Sequence, residues 1–221
     1  MTLNLGIDCC TKWTSIGVSE NGCILTEIHL NIGRKQSAEL AKAVNEALRF
    51  SGRSLTQVNL IVLTTGPGSF TGVRVGLSYG LALATALKCP VVPVNTLEFI
   101  AHQALPFFRN KTLVPVLSAK RGFVYAAAYD YPANSNLLFP LISPGFFSDE
   151  DLHEILIRLK NGLVLIQEKN RCLDFPSSLM VINGTDIPSG GLLSTLGDLY
   201  FERACSSREV KGLYLRPPDI G

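Results

Sequence analysis

The order of strand and helix signals predicts a two-lobed α/β protein with a mixed sheet flanked by helices. Three observations carry this reading. Apolar runs from Leu3 to Leu30 form a meander that turns at Asn21-Gly22, the strongest short hairpin signal a sequence offers. Helix and strand patterns then alternate through Thr96, as parallel crossover connections require. With 47% hydrophobic residues, the 221-residue chain can also bury a substantial core, in one large domain or two small ones.

Taken in order, Leu3 to Cys10 is an apolar run, Thr14 to Ser19 alternates, and Cys23 to Leu30 is rich in β-formers. A helix is predicted over Ser37 to Ser51, where Leu40, Val44, Ala47 and Leu48 recur at helical spacing and Gly52 supplies the stop. The strand Val58 to Thr64 runs into a glycine-rich turn and then a helix ending near Lys88. Val91 to Val94 is a further buried strand, and Thr96 caps a helix reaching about Phe107. Three strands, helix, strand, helix, strand, helix is the order of a ribonuclease-H-like half of the actin-like (ASKHA) folds. It defines a predicted first lobe over 1–108, with Pro106 to Lys111 as the linker. The second lobe, 109–221, is smaller and less regular. Strands are expected at Leu113 to Leu117, Val124 to Tyr131, Leu163 to Gln167 and Leu179 to Ile182, and a helix over Asp149 to Lys160. The final segment is free to pack back on the first lobe.

Charge limits the functions available. A net charge of +2 with basic doublets at Arg34-Lys35 and Lys120-Arg121 reads as a solvated surface. It does not support strong RNA binding by this chain alone, which needs a concentrated basic face. Charged residues make up only 17% of the chain, which leaves apolar surface for a protein partner. The six cysteines include no Cys-x-x-Cys pair, so they read as small buried hydrophobes rather than zinc ligands. Met1 to Asp8 lacks the basic-then-apolar order of a signal peptide. The uncharged stretch between Arg74 and Lys88 is shorter than the ~20 residues of a membrane span. A cytoplasmic location is expected.

The most specific run is Gly66-Pro67-Gly68-Ser69-Phe70-Thr71-Gly72-Val73-Arg74. Glycines permit positive φ and Pro67 stiffens the turn, while amides at a helix start can hold an anion. A plain strand-to-helix turn explains the run equally well. It is neither a Walker A loop nor a dinucleotide fingerprint.

This run resembles the signature of the TsaB (YeaZ) family. Ile7-Asp8-Cys9-Cys10-Thr11 is similar to the family's opening Ile-Asp-Thr strand end, and Val92-Pro93-Val94-Asn95-Thr96-Leu97 to its Val-Ser-Ser/Thr-Leu segment. Lys120 to Tyr125 resembles its Ala-Arg-x-x-x-Val-Tyr stretch, and Tyr214-Leu215-Arg216 its closing Tyr-Leu-Arg. The resemblance implies a non-catalytic partner of the paralogous transferase TsaD, with TsaE as third subunit. Together they place threonylcarbamoyl on the adenosine next to the anticodon of ANN-decoding tRNAs. It further implies a homodimer when alone, tRNA contact only through the complex, no membrane, and ATP and metal on the TsaD partner rather than tightly bound here.

The chain departs from the family pattern at two places: Gln36 stands where members often carry His, and Ser118 where they often carry Asp. The catalytic paralogue's histidine pair is missing, since His29, His102 and His153 lie at no helical spacing. In kinases and ATPases of this fold class an acid at the end of the first strand orients magnesium. Here Asp8 is followed by Cys9-Cys10-Thr11 without a phosphate-loop glycine, Ser118-Ala119 lacks an acid, and Asn183-Gly184-Thr185 has one glycine only. Asp8, Gly66, Gly68, Ser69, Gly72 and Arg74 are therefore candidate vestigial nucleotide or anion contacts. The alternatives are an ATP-dependent kinase or ATPase of the same fold, and a peptidase whose Ser-His-acid geometry no sequence reveals.

The helix from Gly72 to Leu87 is apolar almost all round, with Arg74, Ser78 and Thr85 as a narrow polar edge. Such a helix is covered on more than one side. Gly76, Gly80 and Ala84 stand at four-residue steps, where a second backbone can approach. Packing on the chain's own Ser37–Ser51 helix accounts for the pattern as well. Family members use these two helices for dimer and heterodimer contact, so the expected partner interface is Leu40, Val44, Val73, Gly76, Leu77, Gly80 and Ala84.

Overall fold

In a computed structural model, residues 2–108, 110–132, 135–159, 163–167, 180–183 and 187–216 are described. The chain divides into two compact units, Met1–Asn95 with Ile187–Leu213 and Thr96–Asp186 with Tyr214–Gly221. The division differs from the expected cut at 108: the helix opening at Thr96 belongs to the second unit, and the segment after Ile187 returns to the first.

The first unit is a five-stranded mixed sheet ordered β3-β2-β1-β4-β5. Its strands are β1 (Leu3–Asp8), β2 (Trp13–Glu20), β3 (Cys23–Asn31), β4 (Leu60–Thr64) and β5 (Val91–Val94). The first three pair antiparallel, with Asn21 and Gly22 both at positive φ in the first hairpin, as an Asn-Gly turn demands. β4 joins β1 and β5 joins β4 in parallel, through the crossover helices α1 (Gln36–Phe50) and α2 (Phe70–Leu87).

Leu40, Val44 and Leu48 of α1 and Val73, Leu77 and Ala84 of α2 are buried with Leu5, Ile7, Ile16 and Leu63 of the sheet in one core. Helix α2 is long and apolar enough to cross a membrane by length and composition alone. In this unit it is a crossover helix with its small-residue face packed into that core.

The second unit holds a mixed sheet ordered β10-β9-β6-β7-β8. Its elements are β6 (Thr112–Lys120), β7 (Phe123–Asp130), β8 (Phe139–Ser148), β9 (Leu163–Gln167) and β10 (Met180–Asn183), with α3 (Thr96–Ala104) and α4 (Asp149–Ile157). Leu97, Ile100 and Ala104 of α3 join one core cluster, and Leu152 and Leu156 of α4 join another. The Tyr125 hydroxyl accepts a 3.0 Å hydrogen bond from Arg216 Nε, so two of the motif stretches meet in this unit.

Helix α5 (Gly190–Leu199) returns to the first unit. Asn4 on β1 donates from Nδ2 to Ser194 O at 3.2 Å and to Asp198 Oδ1 at 3.0 Å, which docks the helix on the sheet. A Cβ on Gly190 would lie 2.6 Å from the Ile16 backbone nitrogen, so only glycine allows that approach.

Candidate functional site

The chemistry-bearing residues of the first unit gather where β1 ends. Asp8 is fully buried. Its Oδ1 accepts from Thr64 Oγ1 at 2.5 Å and from the Cys10 amide at 3.2 Å, while its Oδ2 has no hydrogen-bond partner. Burial penalises the carboxylate more than these two donors restore, and the pKa rises from 3.8 to about 6. Cys9 and Cys10 are buried beside it, and burial pushes the Cys9 thiol up.

In this fold class the turn after β1 is where a phosphate would sit, and a phosphate needs converging donors. Here acceptors converge instead. Gln36, which is buried, directs its amide Nε2 at the carbonyl oxygens of Cys9 (3.3 Å), Thr11 (3.2 Å) and Trp13 (3.1 Å). The Cys10 amide is taken by Asp8 and the Trp13 amide by Thr11 Oγ1.

The glycine-rich loop closes the same turn from above. Ser69 N donates to Cys10 O at 2.7 Å, and a Cβ on Gly68 would overlap that same carbonyl. A Cβ on Gly72 would overlap Cys9 O. The turn does not fit a phosphate.

Gly66 has φ of 100°, and the Gly66–Pro67 peptide is cis. The loop is tied on its other side by Leu213 N donating to Thr65 O at 2.7 Å. Ser69 caps α2 by accepting from Gly72 N at 3.3 Å. Of the six candidate nucleotide or anion contacts, Asp8, Gly66, Gly68, Ser69 and Gly72 meet at this packed junction. Arg74 lies apart, exposed on α2 with its guanidinium 3.9 Å from the Phe70 ring centre. Sequence reasoning saw Gln36 only as a departure; its side chain organises the junction. Its signal was its place, at the first residue of the helix after the meander.

The expected interface residues face inward. Val44, Val73 and Ala84 are no more than 2% exposed. A Cβ on Gly80 would overlap Leu63 Cδ2 and lie 2.7 Å from its Cδ1, and one on Gly76 would lie 3.3 Å from Cys9 Cβ. The small-residue stripe of α2 thus receives the chain's own sheet, neither a partner helix nor α1. Leu77 is buried in the same core. Leu40, itself buried, forms part of the floor of a groove of about 390 Å³ between α1 and α2. Ser37 flanks it, and Phe70, Arg74, Val75, Ser78 and Tyr79 of α2 complete the lining.

A serine–histidine–acid chain does exist. Ser15 Oγ lies 3.1 Å from His29 Nδ1, and His29 Nε2 lies 2.7 Å from Glu27 Oε1. With Nε2–H donating to Glu27, Nδ1 accepts from the Ser15 hydroxyl. Ser15 is fully buried inside the sheet, so its oxygen has no path to a substrate carbonyl, and the chain is a structural cross-strand network. Among the described residues no group of three or more His, Cys, Asp and Glu is placed to hold a metal ion. Ser118 is exposed on β6 opposite Val124. Gly184 and Thr185, expected at an adenosine-contacting turn, lie outside the described residues, as does Cys172.

Comparison with known proteins places this geometry. Residues 26–180 match the model of the family described as "TsaD: tRNA N6-adenosine threonylcarbamoyltransferase". The chain is 23% identical over 181 residues to the tRNA threonylcarbamoyladenosine biosynthesis protein TsaB of Buchnera aphidicola from Acyrthosiphon pisum, covering 82% of this chain and 79% of the relative. With Escherichia coli TsaB it shares 32% identity over 130 residues, 59% of this chain and 56% of the relative. The solved structure of YeaZ from Pseudomonas aeruginosa superposes with a TM-score of 0.85 at 21% identity, covering 97% of this chain and all of that one, which fixes the actin-like fold. The chain belongs to the TsaD family of that model and, within it, to the TsaB/YeaZ branch.

Proposed function

We propose that this chain is the non-catalytic TsaB-type subunit that supports a TsaD-like transferase. The reaction is transfer of threonylcarbamoyl to the adenosine next to the anticodon of ANN-decoding tRNAs. One observation carries the assignment beyond the family: the turn that would bind phosphate is filled by the chain's own Gln36, Gly68 and Gly72. A chain so closed supplies surface rather than reacting groups.

The surface is the groove between α1 and α2, where half-buried Phe70, Val75 and Tyr79 stand beside exposed Arg74 and Ser78. The occupant is the TsaD-like catalytic subunit, a paralogue of the same fold, with ATP and metal on its side. A TsaE-like ATPase completes the assembly, tRNA is reached through it, and the setting is the cytoplasm. Alone, the chain covers the groove with a second copy of itself.

Reconstitution tests the reading. A TsaD-like subunit, a TsaE-like subunit and tRNA are assayed for modified adenosine with and without this chain, beside a calorimetric titration of the chain with magnesium-ATP. Modification that depends on the chain, with weak nucleotide binding, is the expected result. Modification that proceeds without it, or tight stoichiometric ATP binding to the chain alone, would favour the kinase or ATPase alternative.

A further inference from the structure

We propose that Gln36 is a positioning residue that sets the shape of the α1/α2 groove and so the affinity of the chain for its catalytic subunit. This rests on the groove reading above.

The argument starts from hydrogen-bond capacity. A side-chain amide nitrogen carries two hydrogens, yet three backbone carbonyls, of Cys9, Thr11 and Trp13, lie within 3.3 Å of Gln36 Nε2. The amide oxygen is turned the other way, 3.1 Å from where a Cβ on Gly72 would sit. One side chain thus ties the first turn of α1, on which it stands, to the β1–β2 turn, and its amide oxygen occupies the space beside Gly72 in the first turn of α2 that a Cβ would crowd. The two flanks of the groove begin at these points. Ser37 is the next residue, Leu40 lies one helical turn on from Gln36, and Phe70 and Arg74 flank Gly72.

A satisfied polar group at the edge of an apolar core specifies one geometry, because every other geometry leaves buried acceptors unpaired. The apolar contacts of Leu40, Val44 and Val73 hold α1 and α2 in the core but are non-directional. The amide supplies the direction. It also has a polarity: an oxygen in the place of Nε2 would face three carbonyl oxygens.

The chemistry of the cage gives a test that a merely space-filling role would not move. Gln36→Met keeps the length and removes both donors. Gln36→His presents one N–H when neutral and two when protonated, and three carbonyls favour the cation. Because histidine ordinarily titrates near ~6.5, the His variant's affinity for the TsaD-like subunit, relative to wild type, should rise as pH falls from about 7.5 to 5.5. The Met variant should bind about tenfold more weakly at every pH, with the modification rate of the saturated complex unchanged.

Val75→Asp, on the half-exposed flank of the groove, separates the two readings. If Val75→Asp binds like wild type, the groove is not the docking surface and the proposal falls with it. If Val75→Asp loses binding while Gln36→Met and Gln36→His bind like wild type with no added pH dependence, the groove stands and the role of Gln36 is overturned. Thermal denaturation of each variant alone accompanies the titrations. Should the Met variant fail to fold, the pH profile of the His variant decides by itself.

Discussion

The inner and outer faces of α2 are both apolar, and they do opposite things. Along the inner face Gly72, Gly76, Gly80 and Ala84 bring the helix backbone down onto Cys9 and Leu63 of its own sheet. Along the outer face Phe70, Val75, Tyr79 and Leu81 stay half-buried beside exposed Arg74, Ser78 and Ala82. The small residues make close self-packing possible, while larger ones are left at the surface with room for another molecule. A stripe of small residues at four-residue steps therefore marks the committed side of this helix. Its amphipathic, half-covered side is the one that lines the open groove.

The sharpest way to break this comparison is at Gly80. A Gly80→Leu chain must place its new side chain where Leu63 already lies. Overpacking of a filled core typically costs ~1–3 kcal/mol, and here the sheet behind Leu63 leaves little room to relax. The expected result is a variant with a strongly lowered melting temperature or no soluble expression. A variant with wild-type stability and weakened partner binding would restore Gly80 to an interface.

A titratable effect sharpens the contrast between the closed junction and the open groove. Asp8 titrates at about 6 in the folded chain against an ordinary 3.8, so folding favours the protonated carboxyl. That contribution is fully present below pH 3.8 and lost as pH rises through about 6; it is worth about 3 kcal/mol. Asp8→Asn cannot ionise, and its stability should stay flat between about pH 4 and pH 7 where wild type loses stability from this group. Thermal denaturation of both proteins across that range checks it. Parallel profiles would mean that Asp8 is ionised in the fold like any exposed carboxylate.

Much of the first unit was legible in the chain. The meander, the Asn-Gly turn and the alternation of α1, β4, α2 and β5 were set by periodicity and turn residues. Two elements of the chain, one in each unit, were not. Helix α5 opens Gly190-Gly191, which reads locally as a breaker; only contact with the Ile16 backbone explains why glycine belongs there. Strand β8 carries Pro140, Pro144 and Gly145, residues that local rules place in loops, yet it pairs antiparallel with β7 along its length.

The candidate site divides in the same way. Asp8 and the glycine-rich loop stood out as residue types, but their closure depends on where backbone carbonyls point, which no side-chain pattern encodes. The Ser15–His29–Glu27 chain needed the register of β2 on β3 before it existed at all.

Hydrogen–deuterium exchange on this chain, diluted to monomer and then saturated with a TsaD-like subunit, locates the partner without altering a residue. The account predicts added protection in peptides covering 36–40 and 70–79, the two walls of the groove, with the inner-face contacts to β4 and the sheet of the second unit unchanged. Protection confined to the exposed apolar edge of β8, at Phe139 and Leu141, with none on α1 or α2, would contradict it.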